Sequence, residues 1–316
     1  MISVLHERAF PLKQLRLFAS SRSAGKMQKT PFGEKKIEEF SPEKMEGIDI
    51  ALLAVSGDFS KQYSRSIAET GTIVIDNSSA LRLEDDVPLI VPEINGELAK
   101  GATLIANPNC TTAILAVALW PIHQSFNCKK VIVSTYQATS GGGASAMEEL
   151  RQQTQNVLRG KPAECEKFAH PIPFNLIPHI DVFQENKYTK EEMKVTWETR
   201  KIFGEPNMAI SCTAVRIPTF RAHAEAVTIE TEERITPEAV QEIFQWAPGV
   251  ELRDEPEKNI YPMPLTATKK YAVEAGRVRQ SLVFGEYGID FFVCGDQLLK
   301  GAALNAVQIA EVCAGE

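Results

Sequence analysis

The chain has 316 residues, of which 44% are hydrophobic and 24% charged, with a formal net charge of -7 at pH 7. This length predicts about two domains of ordinary globular composition, and the acidic balance argues against nucleic acid as the main partner. The longest apolar run is well short of the ~20 residues that a membrane span needs. Because the six cysteines and five histidines lack metal-ligand or C-x-x-C spacing, we expect a reducing compartment without disulfides or a metal site.

Short apolar strands alternate with helical stretches in the first third of the chain. The strands are predicted at residues 15–19, 48–55, 72–76 and 102–106. The helical stretches are residues 1–8 and 58–70. Apolar strands that alternate with helices in this way are typical of a parallel sheet.

Small polar loops follow the four predicted strands. They are Ser20–Gly25, Ser56-Gly57, Asn77–Ser79 and Asn107–Cys110. In parallel sheets, ligands bind beyond the carboxyl ends of the strands. Ser20–Gly25 alone is more typical of a solvated turn, but four such loops on one sheet edge predict a nucleotide site better than any one of them does.

Cys110 lies on a turn between a predicted strand and a long apolar helix. The unpaired backbone N–H groups and the dipole of a helix start favour a thiolate over a thiol. From the turn alone, a nucleophile and a buried structural cysteine remain equally compatible with the sequence.

After the Cys110 helix, the chain contains a glycine-rich loop and a Pro-rich segment. A strand at 129–137 runs into the glycine-rich loop Ala138–Gly143, which allows a close backbone approach to a ligand or serves as a hinge. Helices are predicted at 144–159 and 190–203, and the Pro-rich segment 163–189 between them fits a lid or an interface.

Arg216 and His223 flank a short turn between two further strands, so both can point into one cleft. Glu191 and Lys194 are three residues apart on one helix face. Taken alone, that pair is typical of an ordinary surface ion pair, and a histidine beside a turn is typical of an ordinary surface residue. The last helix, 297–312, is apolar nearly all round, which predicts that it is buried against the first domain.

Seven segments together resemble the aspartate-semialdehyde dehydrogenase family. They are Ala19–Gly25, Asp76–Ser79 with Arg82, Asn107–Cys110, Ser134–Gly141, Glu191-x-x-Lys194, Arg216 with Arg221–Glu225, and Lys300–Glu311. The resemblance implies an NADPH-dependent reduction of 4-phospho-L-aspartate to L-aspartate 4-semialdehyde with release of phosphate, on the pathway to lysine, threonine and methionine. The combination is far more specific than any one of its segments.

The resemblance also implies roles for single residues. Cys110 would be the nucleophile that forms an acyl thioester, His223 the general acid/base, and Gln137 the residue that orients the acyl group. The implied substrate contacts are Arg216 for the α-carboxylate, Glu191 for the amino group, Lys194 and Arg82 for the phosphate, and Asn109. Two cations suit a phosphate, and a carboxylate suits an ammonium group.

For the cofactor, Arg22 and Ser23 resemble the family's clamp on the 2′-phosphate, which favours NADP over NAD. The other cofactor contacts that the resemblance implies are Ser56, Gly57, Asn77, Ser140, Gly141 and Gln297. Gln297 stands where many members of the family carry Asn, and because an amide is kept, we expect this contact to survive.

We therefore expect an α/β fold, with a Rossmann-like parallel sheet that lacks its first strand and a second, α+β domain for catalysis and dimerisation. The expected domains are 1–109 plus 296–316 for NADP, and 110–295 for catalysis. The expected partners are an acyl-phosphate substrate, phosphate and a second copy of the chain, in a homodimer or homotetramer. The expected compartment is the cytoplasm, or the plastid stroma if a transit peptide was lost.

The sequence departs from the family at its front, where a strand and a G-x-x-G-x-x-G turn should precede the first helix. We interpret this as a fragment or a mis-started reading frame, and expect weakened NADPH binding. One rival function is N-acetyl-glutamyl-phosphate reductase, against which Glu191 argues because that substrate has no free amino group. The other rival is a non-catalytic paralogue. The missing glycine turn argues for it, and the complete set of reactive residues argues against it.

Overall fold

The helices and strands of the computed structural model, which describes residues 1–315, lie close to most of the predicted positions. The strands are β1 (Leu17–Ala19), β2 (Met27–Thr30), β3 (Gly33–Glu39), β4 (Ile50–Leu53), β5 (Ile73–Asp76), β6 (Leu104–Ala106), β7 (Cys128–Gln137), β8 (Ala209–Arg216), β9 (His223–Thr231), β10 (Val250–Leu252), β11 (Val273–Ser281) and β12 (Gly285–Gly295). The α-helices are α1 (Ile2–Glu7), α2 (Gly57–Glu69), α3 (Pro92–Asn95), α4 (Cys110–Phe126), α5 (Ala144–Leu158), α6 (Lys190–Phe203), α7 (Pro237–Trp246), α8 (Pro264–Ala267) and α9 (Leu304–Ala314).

The chain divides into two compact units. Unit 1 contains Met1–Pro108 and the C-terminal residues that follow Ala302, and unit 2 contains Asn109–Ala302. Within residues 1–315, no helix combines the length and the apolar character that crossing a bilayer requires.

Unit 1 contains two three-stranded sheets, in the orders β1-β3-β2 and β4-β5-β6. β4, β5 and β6 are parallel, which confirms the parallel sheet that the apolar strands predicted. Its core joins Ile75 and Ile105 of this sheet to Ala306, Ile309 and Ala310 of α9. The last helix is therefore buried, as its apolar surface predicted.

The antiparallel β2–β3 hairpin is an element that the sequence analysis missed. Its residues are mostly charged and exposed, so it shows no apolar face from which a strand could be recognised. β3 also pairs with β1, which places β1 in a different sheet from β4–β6. The expectation that all four polar loops share one sheet edge is therefore wrong for Ser20–Gly25.

Unit 2 is built on a mostly antiparallel sheet in the order β10-β11-β12-β9-β7-β8. The side chains of β9 alternate between buried positions such as Val227 and Ile229 and half-buried positions such as Ala226 and Thr228. A period of two is the signature of a sheet with one covered face. On the opposite face, Ile132 of β7 is 48% exposed.

The predicted helix 297–312 proved to be two elements. A π-helical turn, Leu299–Ala303, precedes α9. Asp296 organises this turn, because its Oδ1 accepts the N–H of Leu298 at 3.0 Å and its carbonyl accepts the N–H of Leu299 at 3.0 Å. Sequence periodicity does not distinguish such a widened turn from an α-helix, since its residues other than Lys300 are apolar or small.

Candidate active site

Sheet register places three of the predicted residues in one row of unit 2. Gln137 of β7 lies opposite Arg216 of β8, and His223 of β9 lies one position beyond the β7–β9 pair Tyr136–Ala224. A Cβ on Gly141 would lie 2.8 Å from Arg216 Nη1 and 3.3 Å from His223 Nε2. The prediction that Arg216 and His223 point into one cleft is therefore supported, and Gly141 lies directly against both.

Cys110 is the first residue of α4, and Asn109 is its N-cap. Asn109 Oδ1 accepts the backbone N–H groups of Thr111 at 3.0 Å and Thr112 at 3.2 Å. The backbone N–H of Asn109 donates to Glu198 Oε2 at 2.6 Å. The cap fixes the start of the helix, so the half-buried Cys110 lies at the positive end of the helix dipole.

The buried cysteines of unit 2 differ from Cys110 in chemistry. Burial raises the pKa of the Cys128 thiol to about 12. Burial also raises the pKa values of Cys212 and Cys294 far above their ordinary value, reinforced by nearby carboxylates. These three are inert thiols.

Burial lowers the pKa of the Arg216 guanidinium, while the charges of Cys110 and Glu191 oppose that change.

His223 is fully buried, and its two ring nitrogens differ. Nδ1 accepts the backbone N–H of Ala138 at 3.0 Å, whereas Nε2 makes no hydrogen bond within the described chain. Burial, reinforced by the positive charge of Arg216, lowers the pKa of His223 to about 3. The ring is therefore neutral, and Nε2, which faces Gly141, is the nitrogen that can meet a substrate.

Glu191 is the centre of a polar network. Its Oε1 accepts from Asn109 Nδ2 at 3.0 Å and from Gln137 Nε2 at 3.4 Å, and its Oε2 accepts from Lys194 Nζ at 3.2 Å. Glu191 is only 5% exposed, so the ordinary surface pair that spacing alone suggests is wrong. Four of the predicted residues therefore meet in one network.

Arg82 lies in unit 1, where it is buried. Its Nε donates to the carbonyl of Asn107 at 2.8 Å, and its Nη2 donates to the carbonyl of Asn77 at 3.0 Å. The side chains of Asn77 and Asn107 are also joined by a 2.9 Å hydrogen bond. Arg82 is thus fixed to the turns that follow β5 and β6.

The other cofactor candidates of unit 1 lie on polar turns. Arg22 and Ser23 belong to the turn after β1, where Arg22 is exposed. Ser56 is the N-cap of α2 and accepts the N–H of Phe59 at 3.3 Å, and Gly57 opens that helix. A guanidinium, hydroxyls and a helix N-terminus suit the phosphates of a dinucleotide.

In unit 2, the cofactor candidates Ser140 and Gln297 are hydrogen-bonded to each other. Gln297 Oε1 also accepts the N–H of Ala222 at 2.8 Å. The backbone N–H of Ser140 donates to the carbonyl of Phe220 at 3.1 Å. These contacts fix the glycine-rich loop to the turn between β8 and β9.

Three residues around the site carried no signal that we recognised in the sequence. Glu198 follows Glu191 by seven residues, so a helical wheel would have placed both on one face. A Cβ on Gly301 would lie 2.6 Å from Cys110 Cβ and 3.0 Å from Cys110 Cα. Long-range packing alone determines this proximity of Gly301 to Cys110. Asp181 binds Lys194 from within the irregular segment.

Comparison with known proteins shows similarity over nearly the whole chain. The family model for the semialdehyde dehydrogenase NAD binding domain matches residues 1–102, and that for the semialdehyde dehydrogenase dimerisation domain matches residues 119–300. The aspartate-semialdehyde dehydrogenase of Aquifex aeolicus is 47% identical over 320 residues, which cover 100% of this chain and 94% of the relative. That of Synechocystis is 44% identical, with 99% and 92% covered.

Solved structures show the same likeness. Aspartate semialdehyde dehydrogenase II of Vibrio cholerae, complexed with ASA, has a TM-score of 0.94 and 40% identity, and the match covers 100% of this chain and 94% of that one. The Candida albicans enzyme, solved with NADP, is similar in fold, with a TM-score of 0.75, 23% identity, and 98% and 93% covered.

Proposed function

The chain belongs to the aspartate-semialdehyde dehydrogenase family, and from this premise we propose that it reduces 4-phospho-L-aspartate to L-aspartate 4-semialdehyde with NADPH. The observation that carries the proposal is the row of Arg216, Gln137 and His223, together with Cys110 at a helix start, whose charge acts on Arg216. The chain has a nicotinamide-dinucleotide domain. The preference for NADP rests on Arg22 and Ser23, whose guanidinium and hydroxyl suit a 2′-phosphate.

In the proposed reaction, the Cys110 thiolate attacks the acyl-phosphate carbon, and phosphate leaves as a thioester forms. Gln137 orients the acyl group. His223 exchanges protons through Nε2, because the backbone N–H of Ala138 engages Nδ1. The bound cofactor would supply a hydride to the thioester, after which the C–S bond breaks and Cys110 recovers its thiolate.

Substrate recognition is proposed to follow the charges of the site. Arg216 binds the α-carboxylate, since its planar guanidinium allows a two-point contact. Glu191 binds the amino group, and Lys194 with Arg82 binds the phosphoryl group. The buried Glu191 carboxylate favours this substrate over an N-acetylated acyl phosphate, because the N-acetylated compound has no ammonium group to pair with it.

We propose a homodimer, or a homotetramer built from it, as the working form. Support comes from the match to a dimerisation domain and from the apolar Ile132 on the less covered face of the unit 2 sheet. The relatives named above include bacterial enzymes, which favours the cytoplasm as the compartment.

The test is an assay of the purified protein with 4-phospho-L-aspartate and either NADPH or NADH. We expect turnover with NADPH, and Cys110→Ser should abolish it because a hydroxyl does not replace the thiolate. Cys165→Ser is the matched control, since Cys165 is exposed, and it should retain activity. Mass spectrometry of the quenched enzyme without cofactor should show an acyl adduct on Cys110. Near-normal turnover of Cys110→Ser would refute the thioester mechanism.

A further inference from the structure

One ammonium group of unit 2 is shared by two carboxylates. Lys194 Nζ donates to Asp181 Oδ2 at 2.7 Å and to Glu191 Oε2 at 3.2 Å. Although burial opposes its charge, these two carboxylates raise the pKa of Lys194 above its ordinary value. The group proposed to bind phosphate thus already lies between two negative charges.

The backbone holds Asp181 in place. Asp181 has a φ of +69°, a left-handed conformation that aspartate tolerates, and its Oδ1 accepts the N–H of Val182 at 2.9 Å. The residues that follow fold back on themselves, because the N–H of Lys190 donates to the carbonyl of Val182 at 2.7 Å. This small hairpin sets Asp181 beside the first turns of α6.

The same segment is fixed to Arg216. Ile177 and Arg216 exchange backbone hydrogen bonds at 2.9 Å and 2.8 Å. Residues 177–181 therefore connect the backbone of the proposed carboxylate-binding arginine with the side chain of the proposed phosphate-binding lysine. Asp181 is placed by contacts at both ends of a five-residue stretch.

Asp181 and Glu191 differ in how firmly they are held. Glu191 accepts hydrogen bonds from three side chains and is buried. The side chain of Asp181 is 30% exposed, and Lys194 is the side-chain donor that its carboxylate contacts. When a second anion approaches Lys194, displacing Asp181 from the ammonium group costs less free energy than displacing Glu191.

We infer that Asp181 is a specificity-determining residue that occupies, in the free protein, the place on Lys194 that a phosphoryl group takes during the reaction. The inference rests on the proposed function, which assigns the phosphate to Lys194. As a tethered anion, Asp181 competes with phosphate at a high effective concentration. It therefore weakens phosphate binding and speeds the departure of the phosphate product.

The test is NADP-dependent oxidation of L-aspartate 4-semialdehyde with inorganic phosphate as the varied substrate. Asp181→Asn should lower the KM for phosphate about three- to fivefold, the range expected for one partly exposed charge interaction. The KM for the aldehyde should change less than twofold. Glu148→Gln is the matched control, because Glu148 forms an exposed ion pair with Arg151, and it should leave the phosphate KM unchanged.

A second measurement does not need turnover. Titration of inorganic phosphate followed by ³¹P NMR should show tighter binding to Asp181→Asn than to the unaltered protein. Asp181→Gly should behave in the same way, and its backbone suits a φ of +69°. Equal or weaker binding by both variants would overturn the inference, whereas absence of turnover in the unaltered protein would count only against the proposed function.

Discussion

At the scale of single residues, Glu225 is buried without any hydrogen bond to its carboxyl oxygens within residues 1–315. It lies opposite Thr135 and Val293, two residues along β9 from His223. Burial raises the pKa of Glu225 well above its ordinary value. The folded protein therefore keeps this carboxyl protonated where the unfolded chain ionises it.

This difference predicts how Glu225 affects stability with pH. Because the pKa of Glu225 is higher in the folded state, its contribution to the free energy of unfolding is fully present below about pH 4.5. That contribution falls by about 1.4 kcal/mol per pH unit as the pH rises from there toward the folded-state pKa. Glu225→Gln should therefore raise the midpoint of thermal unfolding at pH 7.5 and leave it nearly unchanged at pH 4.5. Thermal scans of both proteins across this range are the measurement. A variant that is equally or less stable at pH 7.5 would contradict the protonated state.

Residue-level prediction from the sequence succeeded where local structure carries the signal. Cys110 was placed at a helix start because a polar turn separates an apolar strand from an apolar helix. The Glu191–Lys194 pair could not be distinguished from a surface pair, since burial by the sheet is a long-range effect. Asp181 gave no signal at all, because its position depends on a hairpin within an irregular segment.

At the scale of elements, the π-helical turn Leu299–Ala303 brings backbone against Cys110, the proposed nucleophile. A Cβ on Gly301 would meet Cβ and Cα of Cys110 at 2.6 Å and 3.0 Å. Contacts this short are relieved only if the start of α4 or the turn itself moves, since one of the atoms is backbone. Only glycine therefore fits at this position.

Gly301→Ala should consequently lower kcat about a hundredfold, the cost of displacing a reacting group by about 1 Å. The KM for the aldehyde should change little, because the proposed substrate-binding residues Arg216 and Glu191 lie on β8 and α6 rather than on this turn. Gly96→Ala is the control, since its Cβ would make ordinary 3.9 Å contacts. Steady-state kinetics of both variants would decide, and an unchanged kcat for Gly301→Ala would show that the turn adapts without cost.

Elements were predictable wherever hydrophobic periodicity was strong. The parallel strands β4 to β6 and the helices α5 and α6 appear close to their expected bounds. The β2–β3 hairpin was missed because its charged residues bury no face. The last helix was predicted as continuous because the residues of the π-helical turn other than Lys300 are apolar or small.

At the scale of the whole molecule, the sheet of unit 2 has one covered and one less covered face. Ile132 on β7 is 48% exposed, whereas Val131 and Val133 beside it are buried. An apolar side chain on an open sheet face is suited to a partner sheet. A second copy of the chain is the partner that our proposed dimer supplies.

Ile132→Glu should therefore weaken self-association by about a hundredfold or more, because each partner would bury an unpaired carboxylate. Leu158→Glu is the control, since Leu158 is 72% exposed at the end of α5. Sedimentation velocity over a range of protein concentrations measures the effect. If Ile132→Glu sediments like the unaltered protein throughout, the dimer uses another surface.

The burial of α9 in unit 1 also has a consequence for the order in which the protein is made. Ala306, Ile309 and Ala310 complete a core that also contains Ile75 and Ile105, which leave the ribosome some two hundred residues earlier. Unit 2 is encoded entirely between them, so it can fold while that core is still incomplete. The core of unit 1 is therefore completed only after unit 2 has been synthesised, and until then the apolar side chains of β5 and β6 lack the helix that packs against them.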